Sequence, residues 1–187
     1  MIIRKATPPD AENIAPLLLM AMEDIVFKFI DERDQEKAKK FLLHFIKNED
    51  NQYSYQNCLV AEIGNEVVAA VSFYDGARLA TLRQPVIEFI HEHFDENLQP
   101  EDETGSGEFY IDSIGVSPDH RGKDIGAKLL QFLIDEYVNK QQKTLGLLVD
   151  QENPAAKKLY LKLGFKGAGK IVFAGKLMEH LQIHAGE

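Results

Sequence analysis

The 187-residue chain has no tryptophan, one cysteine, seven prolines and no run of about 18 apolar residues. Without such a run, no transmembrane helix is expected. The single cysteine, Cys58, excludes an internal disulfide and any zinc site built on a cysteine cluster. The start, Met1 to Thr7, lacks the apolar core and cleavage site of a signal peptide, so a reducing cytoplasm is expected. Positive charge is scarce, with 21 Lys plus Arg against 30 Asp plus Glu, a net charge of −9. Such a surface repels nucleic acid and anionic membranes, so neither is an expected partner, and it attracts cations, amines included. What is present suits a globular domain: 44% of residues are hydrophobic and 27% charged, and the chain is long enough to bury a core.

The residue pattern predicts alternating elements. Ile2 to Lys5 reads as a strand, and Asp10 stands where a helix N-cap is wanted after Pro8-Pro9. Ile14, Leu17, Leu18, Ala21, Met22 and Ile25 recur at helical spacing, and Phe41, Leu42, Phe45 and Ile46 mark a second helix. Cys58 to Ile63 and Val67 to Tyr74 are β-branched runs joined by Gly64-Asn65, a hairpin signal. Residues from about 75 to 107 form an insertion in which Pro85 starts a helix bearing Val86, Ile90 and Phe94, followed by an acidic loop. Glu108 to Val116 reads as a strand, Ile125 to Tyr137 as a helix and Leu145 to Val149 as a buried strand. Asn153-Pro154 opens a further helix that ends at Gly164, and two apolar stretches close the chain.

The strongest chemical signal is Val116-Ser-Pro-Asp-His-Arg-Gly-Lys-Asp-Ile-Gly-Ala127, between a strand and a helix. Glycines and the start of a helix expose backbone N–H groups and a partial positive charge, which suits phosphate. It is neither a Walker loop nor a dinucleotide fingerprint, because Gly-Lys-Ser/Thr and GxGxxG are both absent. A metal is not expected. His91 and His93 do not share a helix face, His180 and His184 lie in a strand-like segment, and no metalloprotease motif occurs. Cys58 reads as a buried thiol and His120 as a neighbour of the loop.

Arg121-Gly-Lys-Asp-Ile-Gly126 resembles the acetyl-CoA-binding motif of the GNAT superfamily of N-acetyltransferases, Arg/Gln-x-x-Gly-x-Gly/Ala after Val-x-Pro. Asn153-Pro-Ala-Ala-Lys-Lys-Leu-Tyr-Leu-Lys-Leu-Gly-Phe165 is similar to a second family motif in the right order. The detailed match covers Glu108 to Phe165, about a third of the chain. One position departs: Asp124 stands where the family has glycine, which tolerates positive φ and lets a phosphate approach.

The resemblance implies an α/β fold, a mixed, mostly antiparallel sheet of about seven strands splayed between the fourth and fifth and flanked by helices. It implies one acyl-CoA N-acyltransferase-like domain over residues 1–187. The activity implied is acetyl transfer from acetyl-CoA directly to an amine, on a small molecule or a protein. A non-catalytic CoA-binding or sensing domain of the same fold is the alternative, and a homodimer is compatible with either. Main-chain groups of Ile114 and Val116 would pair with the pantetheine arm. The loop Arg121, Gly122, Lys123, Asp124, Ile125, Gly126 and Ala127 would hold the pyrophosphate, with Asn153 and Ala156 near the cofactor. Tyr160 occupies the family's general-acid position. Alternation along the fourth strand puts Glu108, Tyr110 and Asp112 on one face and Phe109, Ile111 and Ser113 on the other, so Asp112 and Glu108 are the candidate bases.

Overall fold

The computed structural model describes residues 1–186. Seven strands form one sheet in the order β1-β2-β3-β4-β5-β7-β6: β1 (Ile2–Lys5), β2 (Cys58–Ile63), β3 (Glu66–Asp75), β4 (Phe109–Val116), β5 (Leu145–Asp150), β6 (Lys166–Phe173) and β7 (Lys176–Ile183). Only the β4–β5 pair is parallel. Helices α1 (Ala11–Phe29), α2 (Gln35–Lys47) and α3 (Leu79–His93) share an apolar core with Cys58, Val60 and Ala70. Helices α4 (Ile125–Leu133) and α5 (Pro154–Lys162) pack against Val71, Phe73, Ile111 and Leu147 on the other face. Alternation within β2 and β3 therefore feeds two cores, as expected of strands covered on both sides.

Local chemistry explains most boundaries. Gly64 and Asn65 both take positive φ (57° and 65°), which a two-residue hairpin with the native twist requires. Asn153 caps α5 by accepting the Ala156 N–H at 3.1 Å, Pro154 takes the first helical position, and Gly164 (φ 100°) comes after the last turn.

Two expectations are corrected. Asp10 does not cap α1 with its side chain; its carboxylate accepts the Thr7 N–H and hydroxyl, both at 2.8 Å, and pairs with Arg4 at 2.7 Å. Pro85 lies inside α3, six residues past its start, where the missing N–H removes one helical bond. The neighbouring Leu82 carbonyl accepts the Gln52 N–H at 2.8 Å, which ties α3 to the segment before β2.

Three irregularities shape the centre of the molecule. The β4–β5 ladder holds three pairs, Phe109↔Leu145, Tyr110↔Gly146 and Ile111↔Leu147, after which the strands part. Where they part, β4 carries a bulge: Ser72 opposes Ser113 and Phe73 opposes Ile111, leaving Asp112 as the extra residue. Helix α1 breaks its own geometry at Met22 (φ −128°, ψ 21°), and the chain beyond turns over the opened strands. Gly115 permits this arrangement, since a Cβ there would collide with the Leu17 carbonyl of α1.

Candidate active site

The parted strands open into a cavity of about 1040 Å³. β4 contributes Ile111, Asp112, Ser113, Ile114 and Val116, and β5 contributes Leu147 to Asp150. Gly126 comes from α4, and Asn153, Ala156 and Tyr160 come from α5 and its cap. The bent end of α1 and the turn after it add residues between Met20 and Arg33. The β6–β7 turn closes one side, where the Lys28 ammonium donates to the Ala174 carbonyl and the Ala174 N–H donates to Glu101 at 3.1 Å.

The phosphate-type loop lies at the cavity's α4 end. A short 3₁₀ turn, Pro118–His120, leads into Arg121 to Asp124, with Gly122 (φ 74°) and Asp124 (φ 56°) left-handed. The first intrahelical bond of α4 runs from the Lys128 N–H to the Asp124 carbonyl at 2.9 Å. The N–H groups of Ile125, Gly126 and Ala127 therefore have no helical acceptor, and their dipoles add at this end. A Cβ at Gly126 would sit 3.5 Å from Val116, so the helix start lies directly against β4.

Two details differ from the sequence reading. The Arg121 N–H is already spent on the Pro118 carbonyl at 3.3 Å, so it is not one of the free donors. Asp124 occupies the N-cap position, but its carboxylate makes no capping bond, because a left-handed backbone aims it away from the first turn. Asp124 thus carries backbone strain with no compensating bond. Asp124→Gly is expected to stabilise the fold by roughly 1 kcal/mol. It should also tighten acetyl-CoA binding several-fold through loss of a nearby negative charge; thermal unfolding and calorimetry check both.

The two candidate bases sit in contrasting surroundings. Glu108 is buried, and its carboxylate faces His180 Nε2 at 2.9 Å while accepting Gln182 Nε2 at 2.8 Å and the Thr104 hydroxyl at 2.6 Å. Those bonds outweigh burial and hold its pKa below the usual carboxylate range. Gly146 makes room for it, since a Cβ there would collide with the Glu108 carboxylate. Glu108 is not among the cavity-lining residues; Asp112 is. Asp112 Oδ2 is buried without a hydrogen-bond partner. Burial pushes the Asp112 carboxyl up to about 6, opposed by the Arg83 charge and by Gln52. The bulge also corrects the strand parity, because Ser113 turns to the α1 side, where its Oγ meets the Leu18 carbonyl at 3.4 Å.

Tyr160 lines the cavity from α5, its ring edge-on to Phe165 at 6.0 Å, and burial raises its pKa above the ordinary phenol value. Ile114, Val116, Gly126, Asn153 and Ala156 line the same cavity, whereas the Ile125 side chain is buried in the core. The Arg121 guanidinium reaches Met20 Sδ at 3.5 Å, and Lys123 donates to the Asp119 carbonyl at 3.1 Å.

The family model for the acetyltransferase (GNAT) family matches residues 19–165. The chain belongs to the GNAT acetyltransferase family. A solved acetyltransferase structure is 33% identical and superimposes with a TM-score of 0.81, covering 99% of this chain and 100% of that one. An N-acetyltransferase from Staphylococcus aureus Mu50 is 25% identical with a TM-score of 0.85, covering 98% and 100%. A structure described as histone acetyltransferase HPA2 and related acetyltransferase, from Corynebacterium glutamicum ATCC 13032, is 18% identical, covers 99% and 96%, and has a TM-score of 0.73; it shares the fold. No curated protein matches the chain.

The seven-stranded sheet parted between β4 and β5 is thus the GNAT sheet, and the chain is an acetyl-transferring enzyme of a family whose donor is acetyl-CoA. Among the described residues, no group of three or more His, Cys, Asp or Glu could hold a metal, and no helix is long and apolar enough to cross a membrane.

Several residues in and beside this cavity escaped the sequence reading. The segment Glu23 to Arg33 becomes a cavity wall only because α1 bends at Met22, and no proline or glycine marks that bend. Arg83 did carry a signal: it falls on the same α3 stripe as Leu79, Leu82, Val86 and Ile90, and a cation on an apolar stripe calls for a buried anion.

Proposed function

We propose that the enzyme transfers the acetyl group of acetyl-CoA to a primary amine that arrives as a cation, with Asp112 as proton acceptor and Tyr160 as proton donor. The observation that carries this proposal is the unpartnered Asp112 oxygen on the bulge where β4 leaves β5. Bound acetyl-CoA supplies an activated acetyl group. The free edge of β4 past Ile111 offers main-chain groups at Ile114 and Val116 to the pantetheine amides. The donors from Gly122 to Ala127, with Arg121 and Lys123 beside them, hold the pyrophosphate. An N–H near Ile114 polarises the thioester carbonyl as negative charge develops on its oxygen.

Asp112 meets the incoming ammonium as a buried carboxylate. An alkyl ammonium has a pKa near ~10 and no lone pair, so it first gives up one proton to solvent; the neutral amine then attacks, and the nitrogen turns acidic as its bond to the acetyl carbon forms. The proton then passes to Asp112, while the Tyr160 hydroxyl, neutral at working pH, protonates the departing thiolate. Glu108 stays bound to His180 and Gln182 and steadies the start of β4. Six carboxylates line the cavity (Glu23, Asp24, Asp31, Glu32, Asp112 and Asp150) against three cations (Lys28, Arg33 and Lys176), which favours a cationic acceptor.

The test pairs calorimetric titration of acetyl-CoA with free-thiol release over a panel of amines, from monoamines to polyamines and lysine peptides. Micromolar acetyl-CoA binding is expected, lost on Gly126→Glu, which places a carboxylate against the helix start. Thiol release should be fastest with amines of two or more positive charges. Binding without release across the whole panel would overturn a cationic amine as the acceptor.

A further inference from the structure

The loop after α3 is tied down on a single side chain. Arg83, buried on α3, places Nη2 against Glu103 Oε2, with Nη1 3.0 Å from Asp102 Oδ1 and 3.2 Å from the Glu101 carbonyl. Three consecutive loop residues thus grip one guanidinium. Glu103 is fully buried, and its Oε1 accepts from Gln52 Nε2 at 2.7 Å and the Tyr74 hydroxyl at 2.8 Å. The burial of a carboxylate from an acidic surface loop demands such a set of partners.

Asp112 shares this pocket of charge. The groups facing it are Arg83 from α3, Gln52 and Tyr53 from the segment before β2, Cys58 from β2, Tyr74 from β3 and Tyr110 from β4. Burial holds Tyr53, Tyr74, Tyr110 and Cys58 neutral, and on the α1 side the cavity wall adds Glu23 and Asp24. The charged groups nearest Asp112 are therefore one cation, Arg83, and the Glu103 carboxylate, with Glu108 beyond Tyr110 on the same strand held by His180 and Gln182. Glu103 pairs directly with the cation; Asp112 Oδ2 is left over.

We propose that Glu103 is a positioning residue for proton transfer: by occupying Arg83 it keeps that cation from neutralising Asp112, leaving Asp112 the stronger base. This inference rests on Asp112 as the proton acceptor. Without Glu103, only the exposed Asp102 carboxylate would still offset the guanidinium, so more of its positive field would act on Asp112, and a nearby uncompensated cation lowers a carboxyl pKa by roughly 1–3 units. The acidic loop, which lies outside the two family motifs, thereby sets proton affinity at the centre of the site. Through Glu101, which accepts from the Ala174 N–H, the same loop also braces the cavity's β6–β7 wall.

The test tracks the carboxyl carbon of Asp112 by NMR in the free protein labelled with ¹³C at aspartate, the signal being assigned by its loss in Asp112→Asn. A midpoint near pH 6 is expected for the unaltered protein, where burial places this carboxyl at about 6. Glu103→Gln, nearly isosteric, should lower proton affinity roughly tenfold. Asp102→Asn, which removes the exposed outer partner of Arg83, should lower it about twofold and serves as the decisive variant should Glu103→Gln fail to fold. Midpoints unchanged in both variants overturn the proposal, as does an upward shift in either. The acid limb of kcat/KM for the fastest amine should move with the NMR midpoint. A midpoint that moves while the limb stays supports the tuning by Glu103 and overturns Asp112 as proton acceptor, so the two failures are separable.

Discussion

Asp112→Asn is expected to lower kcat/KM by about 10²- to 10⁴-fold at neutral pH, the span typical of a lost general base, while leaving acetyl-CoA affinity within twofold. The asparagine keeps the shape of the side chain, but it cannot take the proton of the attacking amine. The same substitution should stabilise the fold, because Asp112 is less willing to ionise when folded. Its pKa rises from 3.8 in the ordinary carboxyl to about 6 in the folded chain. A raised acid favours the folded state below about pH 4, and that contribution is lost as pH climbs through 6. Above pH 6, replacement by a neutral group should therefore add on the order of 1–3 kcal/mol. It should also flatten the dependence of unfolding free energy on pH between 4 and 6. Steady-state kinetics beside denaturant unfolding at pH 4, 6 and 8 read both effects. A variant that is both inactive and destabilised would make Asp112 a structural residue, and a variant of full activity would remove it from the mechanism.

The succession of elements along the chain and the two motifs were legible because each rests on a local rule. Cys58 to Ile63 is a strand with the limits its β-branched run suggests, and Gly64-Asn65 turns it because both residues tolerate positive φ. Asn153-Pro154 and Gly164 bracket α5 through capping chemistry contained within a dozen residues. The phosphate-type loop was legible as a strand-to-helix junction, although the spent Arg121 N–H and the uncapped Asp124 carboxylate depend on backbone angles that spacing does not reveal.

What escaped was tertiary. A bulge needs two strands in register, so the parity of Ser113 could not be taken from β4 alone. Glu108 and Asp112 looked equivalent as alternate residues of one strand. Their difference lies in partners 72 and 74 residues downstream: His180 and Gln182 bond Glu108, while nothing bonds Asp112 Oδ2. The acidic loop read only as part of an insertion, because a polar composition does not show which of its carboxylates is buried. Glu103 is buried only because Arg83 on an apolar helix stripe needs an anion. The same long-range contacts that hide from a sequence reading decide which carboxylate is free to react, so the site is less legible than the scaffold that bears it.

Tyr160→Phe is expected to cost roughly 10²- to 10³-fold in kcat, within the range of a lost general acid, with KM for acetyl-CoA nearly unchanged. Burial raises the Tyr160 hydroxyl above its ordinary pKa, so it stays protonated throughout the working range and can give its proton to a thiolate formed within reach. The ring contributes packing against Phe165, and phenylalanine preserves that contact. The fold should therefore lose little stability, which separates the hydroxyl's chemistry from the ring's structural part. The pattern of loss matters more than its size: an interaction made only in the transition state lowers kcat and kcat/KM together, whereas a binding contact raises KM alone. Single-turnover thiol release at saturating acetyl-CoA isolates the chemical step from product departure. A Phe variant that releases thiol at the unaltered rate would leave the departing sulfur to be protonated by water, and Tyr160 would then count only as part of the cavity wall.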